Sequence, residues 1–198
     1  MSEKRNTAIF INGGAGRVIA SIPALERFTE ENPDDDFVIV CEGGTDFYKG
    51  HSTLHARAYD VWHKNLFQEK LINMNLCTPE PYRVWEYYNQ KCSIAEAYDI
   101  GINNKGLRDL PRPRIILNRQ EVMFGQQLIN EVKEKTKKDK VIVFQPYGRA
   151  IQNKDGMVSD GTGRSFEADN AVSIIRKLSN KVGVIHMAEF HMDFSKHN

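Results

Sequence analysis

Two segments, one near each end of the chain, follow the same plan: an apolar strand, a glycine-bearing turn, then a helix. Residues 7–25 read TAIFINGGAGRVIASIPAL. Residues 140–178 open on KVIVFQPYGRA and close on DGTGRSFEADNAVSIIRKL. Each places its glycine turn at the C-terminal end of a predicted parallel strand. Open α/β sheets bind ligands at that end, and free N–H groups at a following helix start favour anions such as phosphate. The pair predicts an α/β chain of two Rossmann-like lobes with parallel sheets, facing one another across a nucleotide-type ligand. The charged connector EKTKKDK (134–140) marks the boundary, giving lobes of 1–138 and 139–198.

A chain of 198 residues, 40% hydrophobic and 10% aromatic, has enough apolar side chains for a real core. Its 27 basic and 26 acidic residues leave a net charge of +1, without the electrostatic footprint of nonspecific nucleic-acid binding. MSEKRNT carries no apolar signal core, and no apolar run is long enough to span a bilayer. Cys41, Cys77 and Cys92 are odd in number and lack C-x-x-C spacing, which reads as reduced thiols in the cytoplasm.

Strands are expected at 8–11, 37–41, 115–117, Val141–Phe144 and 182–187. Strands 8–11 and 37–41 should lie side by side in one parallel sheet, with Val141–Phe144 in a separate sheet. Val18, Ile19, Ile22, Leu25 and Phe28 fit one face of a helix that carries an internal Pro23. Asn118 and Glu121 have capping-box spacing for a second helix, whose buried face would hold Val122, Gly125, Ile129 and Val132. Ser165 is expected to cap a third. Residues 46–98 are rich in aromatics, including Tyr48, Tyr82, Trp85, Tyr87, Tyr88 and Tyr98, which read as core or interlobe packing. The polar stretch 146–164 reads as one long loop. The second sheet should be incomplete, and its open edge suggests a homo-oligomer.

Gly13, Gly14 and Gly16 bring the backbone close to a ligand or a packed neighbour. They also form a degenerate dinucleotide fingerprint, with Glu42 where a ribose-binding acid would sit. Ile19, however, stands where that fingerprint needs glycine or alanine. Gly156 to Gly161 has phosphate-loop spacing, but Thr162 replaces the lysine. Gly163-Arg164-Ser165 would offer a guanidinium and a hydroxyl to a diphosphate at a helix N-terminus. His51 and His55 are spaced i, i+4 but lack a third ligand, so no metal site is assigned.

Gly16-Arg17-Val18-Ile19 followed by Pro23-Ala24-Leu25 resembles the G-D-V…P-A-L opening of the heptosyltransferase-like glycosyltransferases, family nine. Residues 113–117, the helix after them, and Val141–Phe144 running into Gln145-Pro146-Tyr147-Gly148 resemble that family's interlobe passage. Gly163-Arg164-Ser165-Phe166 lies where the family carries K-x-W. The section around Glu80-Pro81-Tyr82-Arg83 is similar to virus-type members, which would place the chain in a host cytoplasm.

The resemblance implies a GT-B fold and transfer of a sugar from a nucleotide-sugar donor to an acceptor of unknown identity, with no metal or other cofactor. The donor would contact Gly148, Arg149, Arg164 and Ser165, and the acceptor lobe would offer Gly13, Gly14, Gly16 and Arg17. Arg17 replaces the family's catalytic Asp and cannot act as a base near neutral pH. Glu42 and Asp46, after the second strand, are then the candidate bases. The family's later D-x-G-x-x-H-type segment has no counterpart before Asn198, which predicts a reduced second lobe. The alternatives are a noncatalytic nucleotide- or phosphate-binding module and an NAD-dependent oxidoreductase.

Overall fold

The computed structural model describes residues 6–148, 151–154 and 157–188. The chain divides into two compact units, Met1–Asn118 and Arg119–Asn198. The division precedes the long helix of residues 119–136 rather than following it at 138/139. The reason is local packing: a Cβ on Gly183 would come within 2.6 Å of Val132 Cγ1 and 3.2 Å of Thr136 Oγ1, so the helix lies close against a strand of the second unit.

The first unit is built on four parallel strands in the order β3-β2-β1-β4. They are β1 (Asn6–Ile11), β2 (Asp36–Cys41), β3 (Ala58–Asp60) and β4 (Asn75–Cys77). The strands β1 and β2 are buried on both faces, as parallel sheets require. Ile9, Ile11, Phe37, Ile39 and Cys41 meet α1 (Ala15–Glu31) through Val18, Ile22, Leu25 and Phe28. On the other face Ala8, Val38 and Val40 pack with Leu66 and Leu71. The helix α1 runs unbroken through the buried Pro23.

A short helix, α2 (Ser52–His55), precedes β3, and another, α3 (Trp85–Tyr88), follows a 3-10 turn at Pro81–Arg83. The helix α4 (Ile94–Asn103) opens on a full capping box between Ser93 and Glu96. It packs on α1 through Tyr98 and Ile102. Its buried Asp99 accepts two bonds from Arg108, which also reaches Glu31 at the end of α1. This tie fastens the chain beyond α4 back onto the core.

The second unit holds α5 (Arg119–Thr136), β5 (Val141–Phe144), a hairpin of β6 (Ile151–Lys154) and β7 (Met157–Asp160), α6 (Ala168–Ser179) and β8 (Gly183–His186). β5 and β8 pair in parallel, in a sheet separate from β1 and β2. Its core is small: Tyr147, Ala171 and Val172 with Ile151 and Ala168 beside them. The expected strand at 115–117 has no regular secondary structure and joins no sheet, and the expected loop at 146–164 contains the β6–β7 hairpin. On α5 the expected face is the less exposed one at Gly125, Ile129 and Val132, but Val122 is exposed and no residue of the helix is fully buried.

The aromatic stretch 46–98 splits rather than packing as one core. Tyr48 and Tyr98 are fully buried, while Trp62, Phe67, Trp85 and Tyr88 are exposed. Among the described residues no helix is long and apolar enough to cross a membrane, and no group of three metal-ligating side chains converges.

Candidate functional site

In the first unit the chain passes from β1 to β2 to β3 in one direction, then crosses back to place β4 on the far side of β1. The gap between β1 and β4 is therefore the topological switch point, where open α/β sheets bind ligands at their strand C-termini. Ile9 lies level with Cys77, so the chain leaving β4 at 78–80 follows the register of 10–12. Gly13, Gly14, Arg17 and Glu80 meet there.

The turn is shaped by glycines doing different work. Gly13 has φ +92°, a left-handed conformation that side chains resist. Gly43, from the loop after β2, packs on the turn: a Cβ there would stand 2.6 Å from Gly14 C and 2.8 Å from Gly13 O. Gly14 and Gly16 face open space. Close approach by the protein itself thus explains Gly13 and Gly43, and leaves Gly14 and Gly16 open to a ligand.

Glu42 does not stand free. Its carboxylate accepts the N–H of Gly13, and its own N–H donates to Ile11 O at 3.2 Å. It buttresses the turn. Asp46 is exposed and pairs with Lys49 at 2.7 Å on a 3-10 turn.

Arg17 is not the exposed side chain its position suggests. It is 17% exposed, donates from Nε to Tyr98 Oη at 2.9 Å, and pairs through Nη2 with Glu80 Oε1 at 2.8 Å. Its Cζ lies 5.1 Å from the centre of the Tyr82 ring. Burial acts to lower its pKa, but the bonds to Tyr98 and Glu80 outweigh it and hold the guanidinium above its ordinary value. Burial pushes the Tyr98 phenol up, partly offset by Arg17. Glu80 is placed by α4, whose Gly101 lets Pro79 approach: a Cβ there would be 3.0 Å from Pro79 Cβ. Sequence reading missed Glu80 and Tyr98 as partners of Arg17, because separations of 63 and 81 residues leave no local pattern.

In the second unit Gly148 and Ser165 do come together, since the Gly148 N–H donates to Ser165 Oγ at 2.9 Å. Ser165 is not a helix cap, however. α6 begins at Ala168 with Glu167 at its N-cap position and Asp169 in its first turn. Ser165 instead donates to Asp160 Oδ2 at 2.6 Å. Asp160 also accepts the N–H and hydroxyl of Thr162 and the N–H of Arg164. The bonds from Ser165 and Thr162 hold its carboxyl down at about 2. Arg164 is exposed on this turn, four residues ahead of a helix start that already carries acidic side chains. Arg149 and Gly156 lie outside the described residues.

Beside Gly148 a pocket of about 560 Å³ opens at the C-terminal ends of β5 and β8. Gln145, Tyr147, Gly148, Ile151, His186 and Met187 line it. Burial lowers the pKa of His186, favouring the neutral imidazole. The Gln145-Pro146-Tyr147-Gly148 turn pointed to this place; the strand expected at 182–187 is β8, but its pairing with β5 beside the pocket did not show in the sequence.

His51 and His55 do not pair. His55 is exposed, whereas His51 is buried between Glu26 Oε1 at 2.7 Å and Arg114 O at 3.0 Å. That contact fastens the extended 109–117 segment to α1. Comparison of the chain with protein-family models, curated proteins and solved structures finds no significant match.

Proposed function

We propose that the chain is a glycosyltransferase of the heptosyltransferase-like kind, its two units being the acceptor-side and donor-side lobes of a GT-B-type enzyme. The observation that carries this reading is the pocket at the C-terminal ends of β5 and β8, rimmed by the Pro146-Tyr147-Gly148 turn. A strand-end pocket beside a glycine turn is where a Rossmann-like lobe takes a nucleotide. Tyr147 and His186 would flank the base or ribose, and exposed Arg164 would meet the diphosphate leaving group. The switch-point turn with Gly14, Gly16 and Arg17 supports an acceptor site in the first unit.

A second reading, a noncatalytic nucleotide- or phosphate-binding module, draws on a specific feature. Glu42 is engaged by the Gly13 N–H, and Arg17 occupies the position of the family's base while bound to Glu80. Both readings expect binding of uridine, adenosine or guanosine diphosphate at 145–148 and 186–188, seen by calorimetry and amide shifts. Arg164→Ala should weaken it roughly tenfold, the loss of about one charge-assisted hydrogen bond. Turnover of a nucleotide-sugar separates the enzyme from the module. NAD binding at 13–17 with no diphosphate bound at 145–148 would overturn both in favour of an oxidoreductase.

A further inference from the structure

Three tyrosines that the core does not use converge on one cavity. Tyr82, Tyr87 and Tyr88 line a pocket of about 530 Å³ together with Gln90 and Cys92. Tyr82 and Tyr87 stand edge to face, with centroids 5.6 Å apart and planes at 64°. Tyr88 is 79% exposed and Tyr82 48%, and Arg17 already covers one face of Tyr82. We propose that this pocket is a cage for a quaternary-ammonium or methylated-amine cation.

Ring faces carry negative quadrupole potential, and walls at a steep angle present several faces to one compact charge. Rings in this segment already take cations: Arg17 lies over Tyr82, and Lys91 Nζ lies 4.1 Å from the centre of Trp85. Besides burial, the carboxylates of Glu96 and Glu86 raise the Cys92 thiol in the pocket lining. Arg17 is paired with Glu80, and Lys91 sits on Trp85. A flat nucleobase would want near-parallel rings for a slot, which a 64° pair does not provide. A sugar would want a denser set of hydrogen-bonding side chains, and among the lining residues Gln90 alone carries an amide. The inference stands on this pocket and is independent of sugar transfer.

The test uses the full chain with choline chloride and tetramethylammonium chloride as probes, read by saturation-transfer and tyrosine-ring NMR. The neutral isostere 3,3-dimethylbutanol, methyl glucoside and adenosine serve as controls. Choline is expected to bind at least tenfold more tightly than the isostere and to shift the rings of Tyr82, Tyr87 and Tyr88. Tyr88→Ala should weaken choline roughly tenfold, and Tyr88→Phe less than threefold, because the ring face carries the attraction. Tyr88 is too exposed for either change to unfold the chain, which circular dichroism will check. Equal binding of choline and the isostere would overturn the cage. So would binding of adenosine or the glucoside in place of choline, or choline binding unchanged by Tyr88→Ala.

Discussion

Gly43 and Gly16 belong to the same turn region, yet alanine at each should act with opposite sign. At Gly43 a Cβ would stand 2.6 Å from Gly14 C, 2.8 Å from Ala15 N and 2.8 Å from Gly13 O. All three are backbone atoms, so no rotamer change relieves the overlap. The loop after β2 must move away from the start of α1, straining the bond from the Gly13 N–H to Glu42. Overpacking of this kind costs about 1–3 kcal/mol. The lost entropy of the unfolded chain returns about 0.4–1 kcal/mol. A net destabilisation of about 1–2 kcal/mol follows, and with a urea slope of about 1–3 kcal/mol/M the midpoint should fall by about 0.5–1 M. Gly16 lies in the first turn of α1 with nothing within 4 Å of its would-be Cβ. Alanine there should raise stability by about 0.5–1 kcal/mol through helix propensity alone. Urea melts of the two variants beside the parent decide the matter. A neutral Gly43→Ala, or a destabilising Gly16→Ala, would refute this account of the turn. If Gly16→Ala is more stable but loses an anionic ligand, the open space beside it is a ligand seat.

The remaining expectations concern the charged contacts. Asp99→Ala removes two charge-assisted bonds to Arg108, which keeps Glu31, and denaturation should show a loss of about 1.5–3 kcal/mol. Arg17 and Glu80 should couple by about 0.5–1 kcal/mol in a double-mutant cycle, the half-open Glu80 being screened by solvent; zero coupling would show that their contact does not hold the switch point. Glu31 and Asp160 have carboxyls lowered to about 2, by bonds from Arg108 and Lys105 in one case and from Ser165 and Thr162 in the other. Because the folded values lie below the ordinary 4.5 and 3.8, their contribution is present above those values and lost as pH falls towards 2. Thermal midpoints between pH 5 and 2 should drop less steeply in Glu31→Gln and Asp160→Asn than in the parent.

The elements legible in the sequence are those whose signal is local. β1, α1 and β2 carry continuous apolar runs and a helical apolar stripe, and their parallel pairing follows from the helix between them. β3 and β4 escaped because three-residue edge strands, 58–60 and 75–77, are too short to show a period. Their placement nonetheless decides the site: only with β4 beyond β1 does Glu80 arrive next to Arg17. The same limit explains Ser165. A serine two residues before an acidic residue reads as a cap, yet in the fold the Asp160 carboxylate claims its hydroxyl and the helix starts three residues later. Tyr88 shows the limit from the other side, because aromatic composition cannot tell a core ring from a displayed one. What separates them is the partner set. Tyr48 reaches Ser21 and Cys41 across α1 and β2, whereas Tyr82 and Tyr87 meet edge to face, with Arg17 over Tyr82. The glycine turn that the sequence announces is thus half of the first unit's candidate site. The other half, Glu80 to Tyr98, is brought to it by a crossover that no local pattern encodes.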